Sequence, residues 1–164
     1  MIALDNFKQA QVMDERVAFL MSNILKEALK RNANRRGLNI PIENMGGKTG
    51  TTNDATSTWF SGYASHIVAS AWVGKDDGSS LGADEFGSTN ALPIWLDFMT
   101  LSKNSLTDFE VVVPEGIAAI RIDKESGNVS KSFKNSYFEY FLEENIDDLL
   151  SSKSNNSELK EILN

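Results

Sequence analysis

The sequence predicts a mixed α/β (α+β) fold: an antiparallel sheet with helices packed on it, then a small β-rich extension. Three observations lead there. An apolar stripe recurs at helical spacing between residues 14 and 32. Short β-branched and aromatic runs, separated by turn residues, fill residues 48–74. A second helical run covers 92–101, and further strand-like runs begin near residue 111.

Residues 1–12 show no period and read as an irregular lead-in. Asp14 suits an N-cap, because its carboxylate can accept from the free amides of a first turn. Val17, Leu20, Met21, Ile24, Leu25 and Ala28 then form one apolar face. Lys30, Arg31, Arg35 and Arg36 gather where cations suit the helix dipole, and Gly37 is a stop. Lys48–Thr52 is β-branched and punctuated by glycine, Asn53-Asp54 reads as a turn, and Trp59–Tyr63 is a short aromatic strand. Ile67–Gly74 has so few polar positions that it is expected to be covered on both faces. Lys75–Ser80 is a polar loop with Asp76-Asp77-Gly78 as turn chemistry. Leu92–Leu101 reads as a helix with Pro93 tolerated in its first turn. Leu20, Ile24, Phe60, Val68 and Trp72 are the expected core. Beyond it, Val111–Val113 and Ile117–Ile122 read as strands, Asp123–Gly127 as a hairpin turn and Tyr137–Leu142 as a final strand. The expected division is a main domain at 1–106, a β extension at 107–146 and a polar, disordered tail at 147–164.

Composition narrows the chemistry. The chain has 164 residues, 16 Lys and Arg against 23 Asp and Glu, and a formal net charge of -7. Such acidity argues against non-specific nucleic-acid binding. With no Cys there is no thiol catalysis, and one His (His66) excludes a His-rich metal cage or paired imidazoles. No cofactor and no metal site are expected. No apolar run approaches the ~20 residues of a membrane helix, and Met1–Lys8 lacks the build of a secretory signal.

The sharpest feature is Gly46-Gly47-Lys48-Thr49-Gly50-Thr51-Thr52. In a strand, Thr49 and Thr51 share one face and Lys48 takes the other, so a ligand meeting all three lies along the strand's edge. Gly50 lets a ligand press against the backbone. Free edge amides can take an acyl group as an added strand or stabilise an oxyanion. The hydroxyls can hold a carboxylate, and the ammonium can hold negative charge or relay a proton. The plainer alternative is a surface lysine between turn glycines, because Lys-Thr-Gly alone is a short motif.

The surroundings sharpen this reading. Lys48–Asp54 followed by Trp59–Tyr63 resembles the C-terminal part of the transpeptidase domain in class A penicillin-binding proteins, bifunctional enzymes that polymerise and cross-link peptidoglycan. The likeness continues through Ala71–Gly74, Leu81-Gly82, Glu85-Phe86-Gly87 and Ala91–Trp95. It reaches Val12-Met13-Asp14 on one side and Pro114–Asp123 with Glu139–Leu142 on the other. The resemblance implies a sheet of the penicillin-binding protein and serine β-lactamase type, present in part. It implies a serine acyl transfer from D-Ala-D-Ala stem peptides, with β-lactams as mimics of the donor. Carried over by position, Lys48 is catalytic, Thr49 and Thr51 contact the donor or β-lactam carboxylate, and Gly50 keeps the strand open. The Thr51 amide is half of an oxyanion hole. The parent family works outside the cytoplasm, anchored to the membrane.

The family's signature runs Ser-x-x-Lys, Ser-x-Asn, Lys-Thr-Gly. Only 47 residues precede Lys48, and their one serine, Ser22, is followed by Asn23, Ile24 and Leu25. Ser157–Lys160 fits the first motif but falls in the tail, and Ser88–Asn90, Ser102–Asn104, Ser126–Asn128 and Ser154–Asn156 fit the second but come after Lys48. The nucleophile is therefore expected from an upstream part of the same protein, and this chain is expected to be inactive alone. The alternative is a non-catalytic remnant that binds a peptide or partner along its sheet edge. Elsewhere, His66 reads as a strand-end residue and Trp59, Phe60 and Tyr63 as packing aromatics. Lys26 to Arg36 reads as a solvated basic face, and Glu143–Asp148 as a solubilising acidic run without calcium-loop spacing.

Overall fold

The computed structural model describes residues 11–41, 43–106 and 111–147. The expected disorder and weak helical pattern of the tail beyond residue 147 lie outside these residues. In order come helix α1 (Glu15–Arg36), strands β1 (Met45–Thr51), β2 (Ser57–Ala64) and β3 (Ile67–Gly74), helix α2 (Ala91–Leu101), and strands β4 (Ile117–Asp123) and β5 (Ser136–Leu142). The chain forms two compact units, Met21–Val112 and Met1–Leu20 with Val113–Asn164.

Helix α1 starts and stops on local chemistry. Asp14 Oδ1 accepts from the Arg16 amide at 2.8 Å, satisfying one of the first-turn donors. The Arg16 side chain, hydrogen-bonded to the same carboxylate, holds Asp14 below its ordinary pKa. At the other end the Leu38 amide donates to Ala33 at 3.0 Å and the Gly37 amide to Asn34 at 3.2 Å, with Gly37 at φ 65°. That pair of bonds is a Schellman cap. The helix runs to Arg36, beyond the apolar stripe that ends near residue 32, and stops at Gly37 as expected.

In the unit Met21–Val112, the strands make an antiparallel sheet in the order β1-β2-β3. Its register sets Lys48 opposite Ser61, Thr49 opposite Phe60 and Gly50 opposite Trp59. Both helices contribute to one buried cluster: Leu29 and Ala33 from α1, Met45, Phe60 and Ala64 from the sheet, and Leu92, Trp95 and Met99 from α2. Each large side chain there contributes roughly 1.5–3 kcal/mol by leaving water. Trp95 packs on Phe60 with centroids 4.8 Å apart and the rings tilted by 54°, and donates its indole N–H to the Ala69 carbonyl at 3.0 Å.

The opposite sheet face is bare among the described residues except at Tyr63, which reaches α1, and this corrects one expectation. Burial alternates along β3, leaving Val68 81% and Trp72 49% exposed. Neither belongs to the core. The reason is geometric: the pleat sends alternate side chains to opposite faces, and the buried cluster draws on one of them. Ile24 is likewise exposed and Leu20 half-buried, because the buried α1 stripe runs instead through Leu29 and Ala33.

The second unit centres on the β4–β5 hairpin, with Arg121 opposite Phe138. Val111–Val113 is not a strand; β4 pairs with β5, and Ile122 bridges to Val129. β-Branched residues need a partner to become a strand, and these three find none among the described residues. The Asp123 carboxylate accepts from the amides of Glu125 and Ser126 at 3.1 and 2.8 Å and from the Ser126 hydroxyl at 2.9 Å, closing the turn. The Ser126 amide is the main cause of its lowered pKa. Ile117, Ile122 and Ile146 are buried, Phe19 meets Tyr140 edge-on at 5.0 Å, and Arg16 pairs with Glu144 at 2.9 Å.

Candidate functional site

The candidate site is the open edge of β1, and a threonine at its end sets the geometry. Thr52 Oγ1 accepts from the amides of Thr56 and Ser57 at 2.9 and 3.0 Å, while the Thr52 amide donates to the Ser57 carbonyl at 3.1 Å. Residues 52 and 57 are thus a hydrogen-bonded pair. Antiparallel pairs alternate, so Gly50, Lys48 and Gly46 turn their amides toward β2. The amides and carbonyls of Gly47, Thr49 and Thr51 point away, along the edge. Among the described residues neither the Thr49 nor the Thr51 amide has a partner.

The two faces of this strand differ. Lys48, Ser61 and Ser70 cross the bare face in one row, and the Ser61 and Ser70 hydroxyls lie 2.8 Å apart. Gly50, Trp59 and Trp72 form the next row, with indole centroids 6.3 Å apart. Lys48 is exposed, and its Nζ reaches round the edge to donate to the Thr49 carbonyl at 3.0 Å and Thr49 Oγ1 at 3.3 Å. The ammonium therefore already sits beside the outward-pointing groups. Thr49 and Thr51 take the other face, where the buried Gly87 lies against them. The Gly87 amide donates to Thr51 Oγ1 at 3.1 Å, which leaves the hydroxyl proton free to donate. A Cβ on Gly87 would stand 2.4 Å from the Trp59 carbonyl, so only glycine lets this loop approach.

Lys48, Thr49, Gly50 and Thr51 are accordingly brought to one edge. Edge amides, hydroxyls and one ammonium together can hold an extended peptide, a carboxylate and a developing oxyanion. The serine-containing look-alikes are placed elsewhere. Ser88–Asn90 leads into α2, with Arg36 donating to Ser88 Oγ at 3.3 Å, Ser102–Asn104 follows that helix, and Ser126–Asn128 lies in the β4–β5 connection. Ser154–Asn156 and Ser157–Lys160 fall outside the described residues. His66 sits in the two-residue turn between β2 and β3 with its Nδ1 3.2 Å from Ser65 Oγ. Phe60 is buried, and the Tyr63 hydroxyl donates to the Ser22 carbonyl at 3.3 Å. Sequence reasoning missed Gly87 and the Ser61–Ser70 pair. Gly87 had a signal, since Glu85-Phe86-Gly87 belongs to the family resemblance; the serines have none. Among the described residues no group of acidic or His side chains could hold a metal ion, and no helix is long and apolar enough to cross a membrane.

No family model matches the chain. Similar proteins do. Penicillin-binding protein 1A of Pseudomonas aeruginosa is 39% identical over 135 residues, covering 82% of this chain and 16% of that protein. Penicillin-binding protein 1A of Rickettsia felis is 31% identical over 151 residues, covering 89% of this chain and 19% of that protein. Among solved structures, penicillin-binding protein 1A of Haemophilus influenzae superposes with a TM-score of 0.68 at 28% identity. That match covers 80% of this chain and 21% of the other.

Proposed function

Because the chain belongs with the class A penicillin-binding proteins, matching a limited stretch of them, we propose that it supplies the Lys-Thr-Gly half of a serine D,D-transpeptidase site. The observation that carries this reading is the edge itself: free Thr49 and Thr51 amides with the Lys48 ammonium folded back beside them. The donor stem peptide, ending in D-Ala-D-Ala, lies along β1 as an added strand. Thr49 and Thr51 hydroxyls hold its terminal carboxylate, and Gly50 leaves room for its backbone. The Thr51 amide stabilises the oxyanion as the serine adds to the penultimate carbonyl. Lys48 belongs to the proton relay and the electrostatic field around the nucleophile. β-Lactams occupy the same edge.

The nucleophile comes from the part of the parent protein that carries Ser-x-x-Lys, and that part covers the bare sheet face beside Lys48. The chain alone is inactive. Its working place is outside the cytoplasm, where peptidoglycan is cross-linked.

The test is labelling with a fluorescent penicillin, read on a denaturing gel. This chain alone gives no covalent band; a band on it would overturn the division of labour. Added to a Ser-x-x-Lys-bearing segment of a close relative, it restores labelling of that segment. In the reconstituted pair, Lys48→Ala lowers the acylation rate by ~100-fold or more, as loss of a proton-relay group does. Lys75→Ala, in the polar loop where its Nζ donates to the Ser80 carbonyl at 2.6 Å, leaves the rate unchanged. Equal effects would sink the assignment.

A further inference from the structure

The β4–β5 hairpin carries a constellation that the transpeptidase reading does not use. The guanidinium of Arg121 packs against two phenyl rings, its carbon 3.8 Å from the centroid of Phe133 and 4.4 Å from that of Phe138. Both rings are exposed, Phe133 by 82%. Two large apolar rings held in water are unfavourable unless something else is gained. What they do here is fix a guanidinium plane. The rings hold the guanidinium carbon and leave N–H groups whose one described contact is a long 3.5 Å approach to Ser136 Oγ. The loop around it is cationic: Lys124, Lys131 and Lys134 are all exposed. Of the nearby carboxylates, Asp123 is engaged by its turn, and Glu125 accepts from Asn135 Nδ2 at 3.0 Å. This is a local excess of positive charge in a chain of net charge -7.

We propose that Arg121, held by Phe133 and Phe138, is a carboxylate-binding site that holds a peptidoglycan strand through residues other than those of the acyl-transfer edge. A planar guanidinium with a fixed edge matches a carboxylate bidentately, and free carboxylates are what stem peptides present. The outer face of Phe133 remains open to stack on the C–H face of a sugar ring. Lys131 and Lys134 add long-range attraction for a polymer bearing repeated negative charge. A bilayer surface fits less well, because phenyl rings held against a guanidinium of the same hairpin are not free to project as a wedge. The identity of the polymer rests on the proposed function; the carboxylate chemistry rests on the hairpin alone.

The experiment is co-sedimentation of the full chain with purified, insoluble peptidoglycan, which needs no nucleophile and so is independent of penicillin labelling. The wild-type chain sediments with the polymer and is released by salt. Arg121→Lys keeps the charge but loses the planar edge, and lowers retention about tenfold, the effect of one charge-assisted pair. Phe133→Ala, at an exposed position where folding is not at stake, lowers it comparably. Lys75→Ala retains wild-type binding. Absence of wild-type sedimentation, or retention unchanged in both Arg121→Lys and Phe133→Ala, overturns the site. Stronger Arg121-dependent binding to vesicles containing phosphatidylglycerol than to peptidoglycan overturns the choice of ligand. If labelling fails while Arg121-dependent sedimentation persists, the acyl-transfer reading falls and this site stands.

Discussion

Replacing Gly87 by alanine tests whether the loop before α2 is part of the site or merely beside it. The added Cβ would stand 2.4 Å from the Trp59 carbonyl and 2.8 Å from the Gly50 carbonyl, both main-chain atoms of the sheet. Neither can rotate away. To reach an ordinary contact of 3.4 Å the loop must withdraw by about 1 Å. That withdrawal breaks the 3.1 Å bond from the Gly87 amide to Thr51 Oγ1 and strains the 2.8 Å bond from the Leu92 amide to the Gly87 carbonyl. Overpacking costs ~1–3 kcal/mol and a lost hydrogen bond ~0.5–1.5 kcal/mol, so Gly87→Ala should destabilise by about 2–4 kcal/mol. Gly50→Ala is the matched control. Its Cβ would meet only the Trp59 side chain, at 3.4 Å from Cβ and 4.0 Å from Cγ, so stability should stay within about 0.5 kcal/mol of wild type. Urea denaturation of the full chain, followed by tryptophan fluorescence, measures both. A Gly87→Ala midpoint indistinguishable from wild type, or equal losses in the two variants, would refute the reasoning. In reconstituted labelling the order should reverse in kind: Gly50→Ala leaves the fold intact and obstructs the ligand.

Other expectations concern the surface and pH. The bare face with Val68, Trp59 and Trp72 should drive self-association of the isolated chain, and Val68→Lys should shift sedimentation velocity toward monomer; a wild-type chain that sediments as a monomer across a concentration series would sink this. The lowered pKa of Asp123 means that its turn-closing bonds favour the folded state above the ordinary carboxylate value. That contribution is constant from neutral pH down to about pH 5 and is lost as pH falls through the folded pKa, below 3.8. Asp123→Ala should therefore be destabilised at neutral pH and show a shallower acid limb in its melting profile; an acid limb as steep as wild type would exclude Asp123 as its source.

Local chemistry was the most legible part of this chain. Asp14 caps and Gly37 stops α1 because each needs only its own neighbours to act. The three strands and the Lys-Thr-Gly edge could be read because β-branched, aromatic and glycine positions alternate with turn residues. Burial was less legible. Val68 and Trp72 look like core on composition, but whether an apolar side chain is covered depends on a partner layer that no local pattern encodes. Val111–Val113 failed for a related reason, since β propensity is realised only where a neighbouring strand accepts the hydrogen bonds. At the site, Gly87 was marked only by the Glu85-Phe86-Gly87 resemblance, because its approach to Thr51, 36 residues away in sequence, leaves no mark on spacing.

The Thr52 hydroxyl, anchored to the amides of Thr56 and Ser57, has a consequence for how this segment can vary. It acts as a parity lock. A slip of one residue between β1 and β2 would move Lys48 to the helix-covered layer, turn Thr49 and Thr51 onto the bare one, and bring the even-numbered amides to the open edge. A slip of two would restore all three relations. Changes in the length of the β1–β2 connection that shift pairing by an even count therefore preserve the sorting of charge, hydroxyl and amide, whereas odd shifts invert it while leaving a sheet that still looks intact.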